Sequence, residues 1–131
     1  METNITRTSL LWVVVMAGFA MHILADLLPA FWGAPIAMPD APGEAPTGML
    51  LLMCAFSFTI PLLGLLCTHY RAVRAMRVAN LVLASVMLLF NIFHASELFM
   101  EFNPVQLLIH PAMVVISVYL LVFSLRMVKQ K

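Results

Sequence analysis

The chain has 131 residues, 63% of them hydrophobic and 10% charged, with a formal net charge of +1 and a mean hydropathy of +1.03. Such a balance excludes a water-soluble globular domain of this size, and the one basic cluster, Arg71 to Arg77, reads as a topology signal and an anchor to anionic lipid rather than a nucleic-acid surface. It predicts an all-α integral membrane protein whose first partner is the lipid bilayer.

Four apolar stretches, roughly 9–28, 47–68, 78–100 and 104–127, each approach the ~20 residues a helix needs to cross ~30 Å of hydrocarbon. They use most of the chain, so residues 1–131 read as one domain, a four-helix antiparallel bundle. The first stretch follows a polar lead-in, with Thr8 or Ser9 as the expected N-cap and Trp12 expected at the interface, where an amphipathic ring is favoured. It is too long for a cleaved signal peptide, and no small-x-small cleavage site follows it. His22 and Asp26 lie one turn apart near its far end, and Pro29 is expected to stop it.

Residues 29–48 hold five of the eight prolines and three of the five glycines, and read as the one long loop. Phe31 and Trp32 suit the interface, and Ile36 to Met38 are expected to tuck an apolar wedge over the bundle mouth. Thr47 is the expected cap of the second helix, which carries no charge through Thr68 and should kink at Pro61, with Ser57 helping to absorb the freed carbonyl. Cys54 and Cys67 fall about 20 Å apart along that helix, too far for a disulfide, and read as small buried hydrophobes. His69 follows at the opposite end from the other histidines.

The third helix carries a stripe of Asn80, Met87, Asn91, His94 and Glu101, with Glu97 just off its line. Asn103 should cap the fourth helix, with Pro104 at its first position, and the short connection makes the third and fourth helices an antiparallel hairpin. Gln106, His110 and Ser117 fall on the inward face of the fourth helix. With four spans, all seven basic residues (Arg7, Arg71, Arg74, Arg77, Arg126, Lys129 and Lys131) share one side. That side is expected to be cytoplasmic, with both termini in the cytoplasm. Asp26, Asp40, Glu44, Glu97 and Glu101 collect on the other, leaving Glu2 as the one acid among the basic groups.

Counting from the outer helix ends, His22, His94 and His110 each lie about 9–10 Å inside the membrane at 1.5 Å per residue. Three helices thus bring one histidine each to a common depth, with Asp26 and Glu97 one turn farther out. Ligands projecting inward from facing helices are how four-helix bundles build metal sites, and imidazole with carboxylate suits zinc or iron. The expected metal set is therefore His22, Asp26, His94, Glu97 and His110. Bis-imidazole haem ligation sits less comfortably beside the two acids. Two alternatives use the same residues. One is metal-free acid–base catalysis or transport of a lipid-like or small substrate; the other is a polar packing cluster in a structural or accessory membrane subunit. A homo-oligomer and a larger membrane complex are both compatible with the chain.

SLLW near the N-terminus, a helix ending at Asp26, the long loop, IPLL in the second helix and RAVRAMRVANL leading into the third resemble a family of small four-helix bacterial membrane proteins of unknown function. RVANL and IPLL are the most specific parts. The resemblance runs along the whole chain and implies the fold and a bacterial inner-membrane location, with no activity attached; the three histidines are read from spacing alone.

Overall fold

The computed structural model describes residues 2–37, 41, 43–100 and 103–129, with side chains from residue 6 onward. Met38, Asp40, Glu101 and Lys131, and the side chain of Glu2, lie outside the described residues. Four helices dominate: α1 (Glu2–Leu27), α2 (Thr47–His69), α3 (Arg74–Ala95) and α4 (Gln106–Lys129). Each is long and apolar enough to cross a membrane, which is the build of a multi-pass membrane protein.

The buried positions explain why these helices bundle. Along α4 they are Gln106, His110, Met113, Ser117, Leu120, Ser124 and Met127, and along α3 they are Asn80, Ala84, Met87 and Asn91. Both stripes alternate steps of four and three, the repeat that keeps one seam facing its neighbours in a slightly supercoiled bundle. Outward faces carry leucine, valine, isoleucine and phenylalanine, the surface that lipid solvates.

Cross-helix contacts set the directions. Asn80, Asn91 and His94 of α3 meet Ser124, Ser117 and His110 of α4, so rising numbers pair with falling ones and the two helices are antiparallel. Trp12 and His22 of α1 meet Asn80 and His94 of α3 across the diagonal, so α1 and α3 run the same way. Neighbours around the bundle follow chain order, α1 to α2 to α3 to α4 and back to α1. Every described basic residue falls at one end of this arrangement, and Asp26, Glu44 and Glu97 at the other.

Several boundaries differ from the sequence expectation. The helix α1 begins at Glu2, and Thr8 is no cap: it is fully buried inside the helix. Hydropathy marks where lipid begins, whereas a backbone that must satisfy its own hydrogen bonds keeps its helix beyond that point. The α-helix α1 ends at Leu27, ahead of Pro29 as expected, and the chain goes on in a tighter turn. A 3-10 turn over Leu28–Trp32 places Pro29 in its first turn, where no N–H is needed, and Gly33 ends the run at φ 84°, a left-handed conformation that glycine takes without strain. Ile36 is 73% exposed and forms no wedge over the bundle. Thr47 opens α2 after Pro46 without a side-chain cap, and Cys54 is exposed on the outside of α2 rather than buried. At α4, which begins at Gln106, Asn103 and Pro104 lie in the turn ahead of the helix rather than at its cap and first position: Asn103 Oδ1 accepts the Val105 N–H at 3.0 Å and closes that turn.

The largest departure is Trp12. It sits fully buried at the basic half of the bundle, and a Cβ built on Gly64 of α2 would lie 2.2 Å from its ring. Its indole N–H donates to Asn80 Oδ1 at 2.8 Å, while the Asn80 amide donates to Ser124 Oγ at 2.8 Å. The Thr68 hydroxyl lies 3.1 Å from Asn80 Oδ1 and 2.9 Å from the Gly64 carbonyl, and its single proton serves one of them at a time. One asparagine thus joins all four helices, so a buried polar group supports the ring that the sequence alone assigns to the interface.

The packing of Trp12 on Gly64 generates a stability prediction. Gly64→Ala forces a methyl into the indole ring and should cost about 1–3 kcal/mol, read as a lower thermal midpoint in detergent. Gly48→Ala, with nothing within 4 Å, should leave that midpoint unchanged or slightly raised.

Candidate metal centre

His22 is carried by α1 two turns before its end, His94 by the last turn of α3, and His110 by the second turn of α4. Each lies one heptad step along its seam from a core residue, so the repeat that builds the core also turns the three imidazoles inward. One nitrogen from each lies within 4.8 Å of the others. His22 Nε2 and His94 Nε2 are 3.2 Å apart, and His110 Nε2 is 3.3 Å from His22 Nδ1. Gly18 makes room beneath them: Met113 fills the notch where its Cβ would stand, and a cavity of ≈ 10 Å³ between Gly18, Asn91, Met113 and the three rings is about the size of one water.

The surrounding acceptors assign the imidazole tautomers. The Gln106 amide nitrogen faces two acceptors, Asp26 Oδ1 and the His22 carbonyl, which turns Gln106 Oε1 toward His22 Nδ1 at 2.8 Å. His22 Nδ1 therefore carries a proton and donates it. His94 Nδ1 faces Glu97 Oε2 at 3.1 Å, and His110 Nδ1 faces the His94 carbonyl at 3.1 Å; both must donate as well. All three rings are then protonated on Nδ1; the Nε2 lone pairs of His22 and His94 face each other, while that of His110 faces the His22 Nδ1–H. A ring N–H held by a carboxylate, a carbonyl or an amide oxygen is the arrangement that orients metal-ligating histidines.

Two lone pairs consequently face each other at 3.2 Å across the His22–His94 edge, and Asp26 Oδ2 stands 3.6 Å from the same His22 nitrogen. Three acceptors so placed are matched by a metal ion or by a proton between the rings. Zn–N bonds of about 2.0–2.1 Å set a nitrogen–nitrogen edge of about 3.3 Å in a tetrahedron, close to the separation observed. The cluster could hold a metal ion.

Of the five residues expected to form the site, the three histidines converge. Asp26 lies on the lone-pair side of His22, and Glu97 lies on the Nδ1 side of His94, turned away from the centre. The role of Gln106 was not evident in the sequence, although it shares the inward stripe of α4 one turn before His110. Phe90 also belongs here, stacked on His94 at 5.6 Å between centroids and 22° between planes; its position one turn before His94 was the available signal. His69, exposed beside Tyr70 at the basic end, takes no part.

Searches against protein-family models, characterised proteins and solved structures return no match to this chain.

The tautomer assignment is measurable. In chelator-treated protein, nitrogen-15 NMR of the imidazoles should report Nδ1–H forms for His22, His94 and His110. Replacing Gln106 by leucine should release His22 alone from that pattern.

Proposed function

We propose that this protein binds a divalent transition metal, zinc or iron, at the acidic end of its membrane bundle. His22 and His94 would hold the ion through Nε2, with Asp26 as the carboxylate on the same side and His110, a nitrogen of which lies within 4.8 Å of the other two, as the third imidazole. Glu97 and Gln106 keep the His94 and His22 rings in register through their Nδ1 protons. The observation that carries this reading is the edge where His22 Nε2, His94 Nε2 and Asp26 Oδ2 all present acceptors. Imidazole and carboxylate donors suit zinc and iron among first-row ions. The small cavity between closely spaced rings favours a single ion over a haem macrocycle.

A proton shared between His22 and His94 would satisfy the same edge, and this is the metal-free acid–base alternative. Transport through the bundle interior has less support, because Val15, Ala84, Met87 and Leu120 pack a buried apolar layer between the histidines and the Asn80 node. A purely structural cluster is disfavoured because packing networks match donors to acceptors, as Asn80 does, and this edge does not.

The charge distribution supports a bacterial inner-membrane location with the basic end and both termini in the cytoplasm, in line with the resemblance carried by IPLL and RVANL. The metal site then opens toward the outer side.

Metal analysis of detergent-purified protein should find about one ion per chain. His94→Ala should abolish retention while membrane insertion stays intact, since the span keeps its apolar length. Glu97→Gln, which keeps the shape and loses the charge that orients His94, should weaken binding about 10–100-fold. Unchanged metal content in His94→Ala would leave the proton-sharing reading. Single cysteines placed in the 34–45 loop should label only from outside the cytoplasm.

A further inference from the structure

The two halves of α2 behave differently. Its second half, Ile60–His69, buries Pro61, Gly64 and Thr68 against the bundle. The first half, Thr47–Cys54 followed by a π-helical turn over Ala55–Thr59, fully buries no residue, and only Phe56 packs, half-buried, against the core. Pro61 lacks the N–H that would bond the Ser57 carbonyl, and the turn before it widens so that the Ile60 N–H reaches Ala55 instead. The Ser57 hydroxyl donates to the Met53 carbonyl at 2.6 Å. At the level of the histidines the bundle is accordingly closed by α1, α3 and α4, and the place of a tightly packed fourth helix is taken by a cleft of ≈ 60 Å³.

The cleft runs from Ile23 and Met53, both exposed on the outside of the bundle, inward to His22 and His94. His110, behind them, does not line it. Its walls are aromatic: Phe56 and Phe90 stack at 3.9 Å and 16°. That stack continues through His94 at 5.6 Å and 22° and on to His110 at 4.7 Å and 25°. The mouth lies within the apolar spans, so whatever enters comes from the hydrocarbon and is neutral.

We propose that this cleft binds a neutral, lipid-dissolved aromatic alcohol of the phenol class. Its ring packs along the Phe56–Phe90–His94 stack, and its hydroxyl meets the His22–His94 edge. A ring matches the wall because offset stacked faces are favoured there over an aliphatic chain. A hydroxyl matches the floor because it can donate to an Nε2 lone pair or place its oxygen on a metal held by the histidines. This deepens the metal reading by naming what approaches the same edge, and it rests on that reading only for the second of those two contacts.

The test uses the full chain in lipid nanodiscs, with empty nanodiscs as background and fluorine NMR as readout. The probes are para-fluorophenol, para-fluorotoluene, which lacks the hydroxyl, and para-fluorobenzenesulfonate, which is charged and stays in water. The phenol should bind in a protein-dependent, saturable way, the toluene about tenfold more weakly for want of one hydrogen bond, and the sulfonate not at all. Ser57→Phe and Ile23→Trp, which fill the cleft from two different helices, should each weaken phenol binding about tenfold and leave metal content as it is. Equal binding of phenol and toluene, sulfonate binding as tight as phenol, or filled variants that bind like the unaltered chain would overturn the proposal. The metal reading is scored separately in the same samples. Cleft-dependent phenol binding in protein that never retains metal removes that reading and leaves this one standing; retained metal without cleft-dependent binding does the reverse.

Discussion

Within hydrocarbon a buried polar atom has no water to turn to, so each one must find its partner inside the bundle. Two polar levels in this protein answer that demand differently. At the basic half, Asn80 receives the Trp12 N–H and donates to Ser124; donors meet acceptors and the network is closed. One level of this kind contributes only about 0.6 kcal/mol per hydrogen bond on average, but it sets which faces of the four helices meet. At the acidic end, three imidazoles are held by acceptors on their Nδ1 sides, and the same logic leaves the His22 and His94 lone pairs facing each other. The closed node accounts for the fold, and the open one is where a metal ion could be held.

Between those levels lies a layer built on two glycines. Gly64 admits the Trp12 ring and Gly18 admits Met113, so α2 and α4 each approach α1 through a missing side chain. Where no hydrophobic force drives helix to helix, such close approach is what supplies dispersion contact. It also anchors α2 chiefly by its second half, with the Phe56 stack on Phe90 as the hold on the first. With Trp12 fixed against Gly64, the widened turn ahead of Pro61 lets the first half of α2 stand away from the histidines. A single helix therefore closes one level of the bundle and leaves the other level accessible.

What could be read in the sequence follows from what is local. The four spans and the hairpin of α3 and α4 come from hydropathy and the short connection between the last two, each written in a few adjacent residues. The convergence of His22, His94 and His110 was also legible, because helix rise is constant and all three are counted from ends at one surface. Trp12 was misplaced because its environment is a pairwise fact: nothing near it announces that Gly64, fifty-two residues on, leaves a notch for its ring. The part played by Gln106 was hidden similarly, since an amide's value lies in facing Asp26 and His22 together. The spacing of Glu97 to His94 left open whether it binds a metal itself or orients the imidazole. The 3-10 turn that follows α3 places its carboxylate on the Nδ1 side of that ring.

Exposure at the acidic end is graded, and the gradient has a chemical consequence. Asp26 and Glu97 have side chains 50% and 54% exposed, His22 and His94 have 17% and 22%, and His110 is 5% exposed as a residue. A hydrated cation approaching from water meets carboxylates first, where the cost of losing solvent is offset by full negative charges. It meets neutral imidazoles only afterwards, deeper in a medium where an unpaired charge would be costly. The two acids differ in what they can do next. Glu97 already has its oxygen on the His94 Nδ1 side, so it can hold that ring without leaving its place. Asp26 divides its oxygens between the Gln106 amide and the lone-pair side of His22. That division would let Asp26 meet an ion at the surface with one oxygen while the other stays bonded, and it ties the carboxylate to the amide that fixes His22.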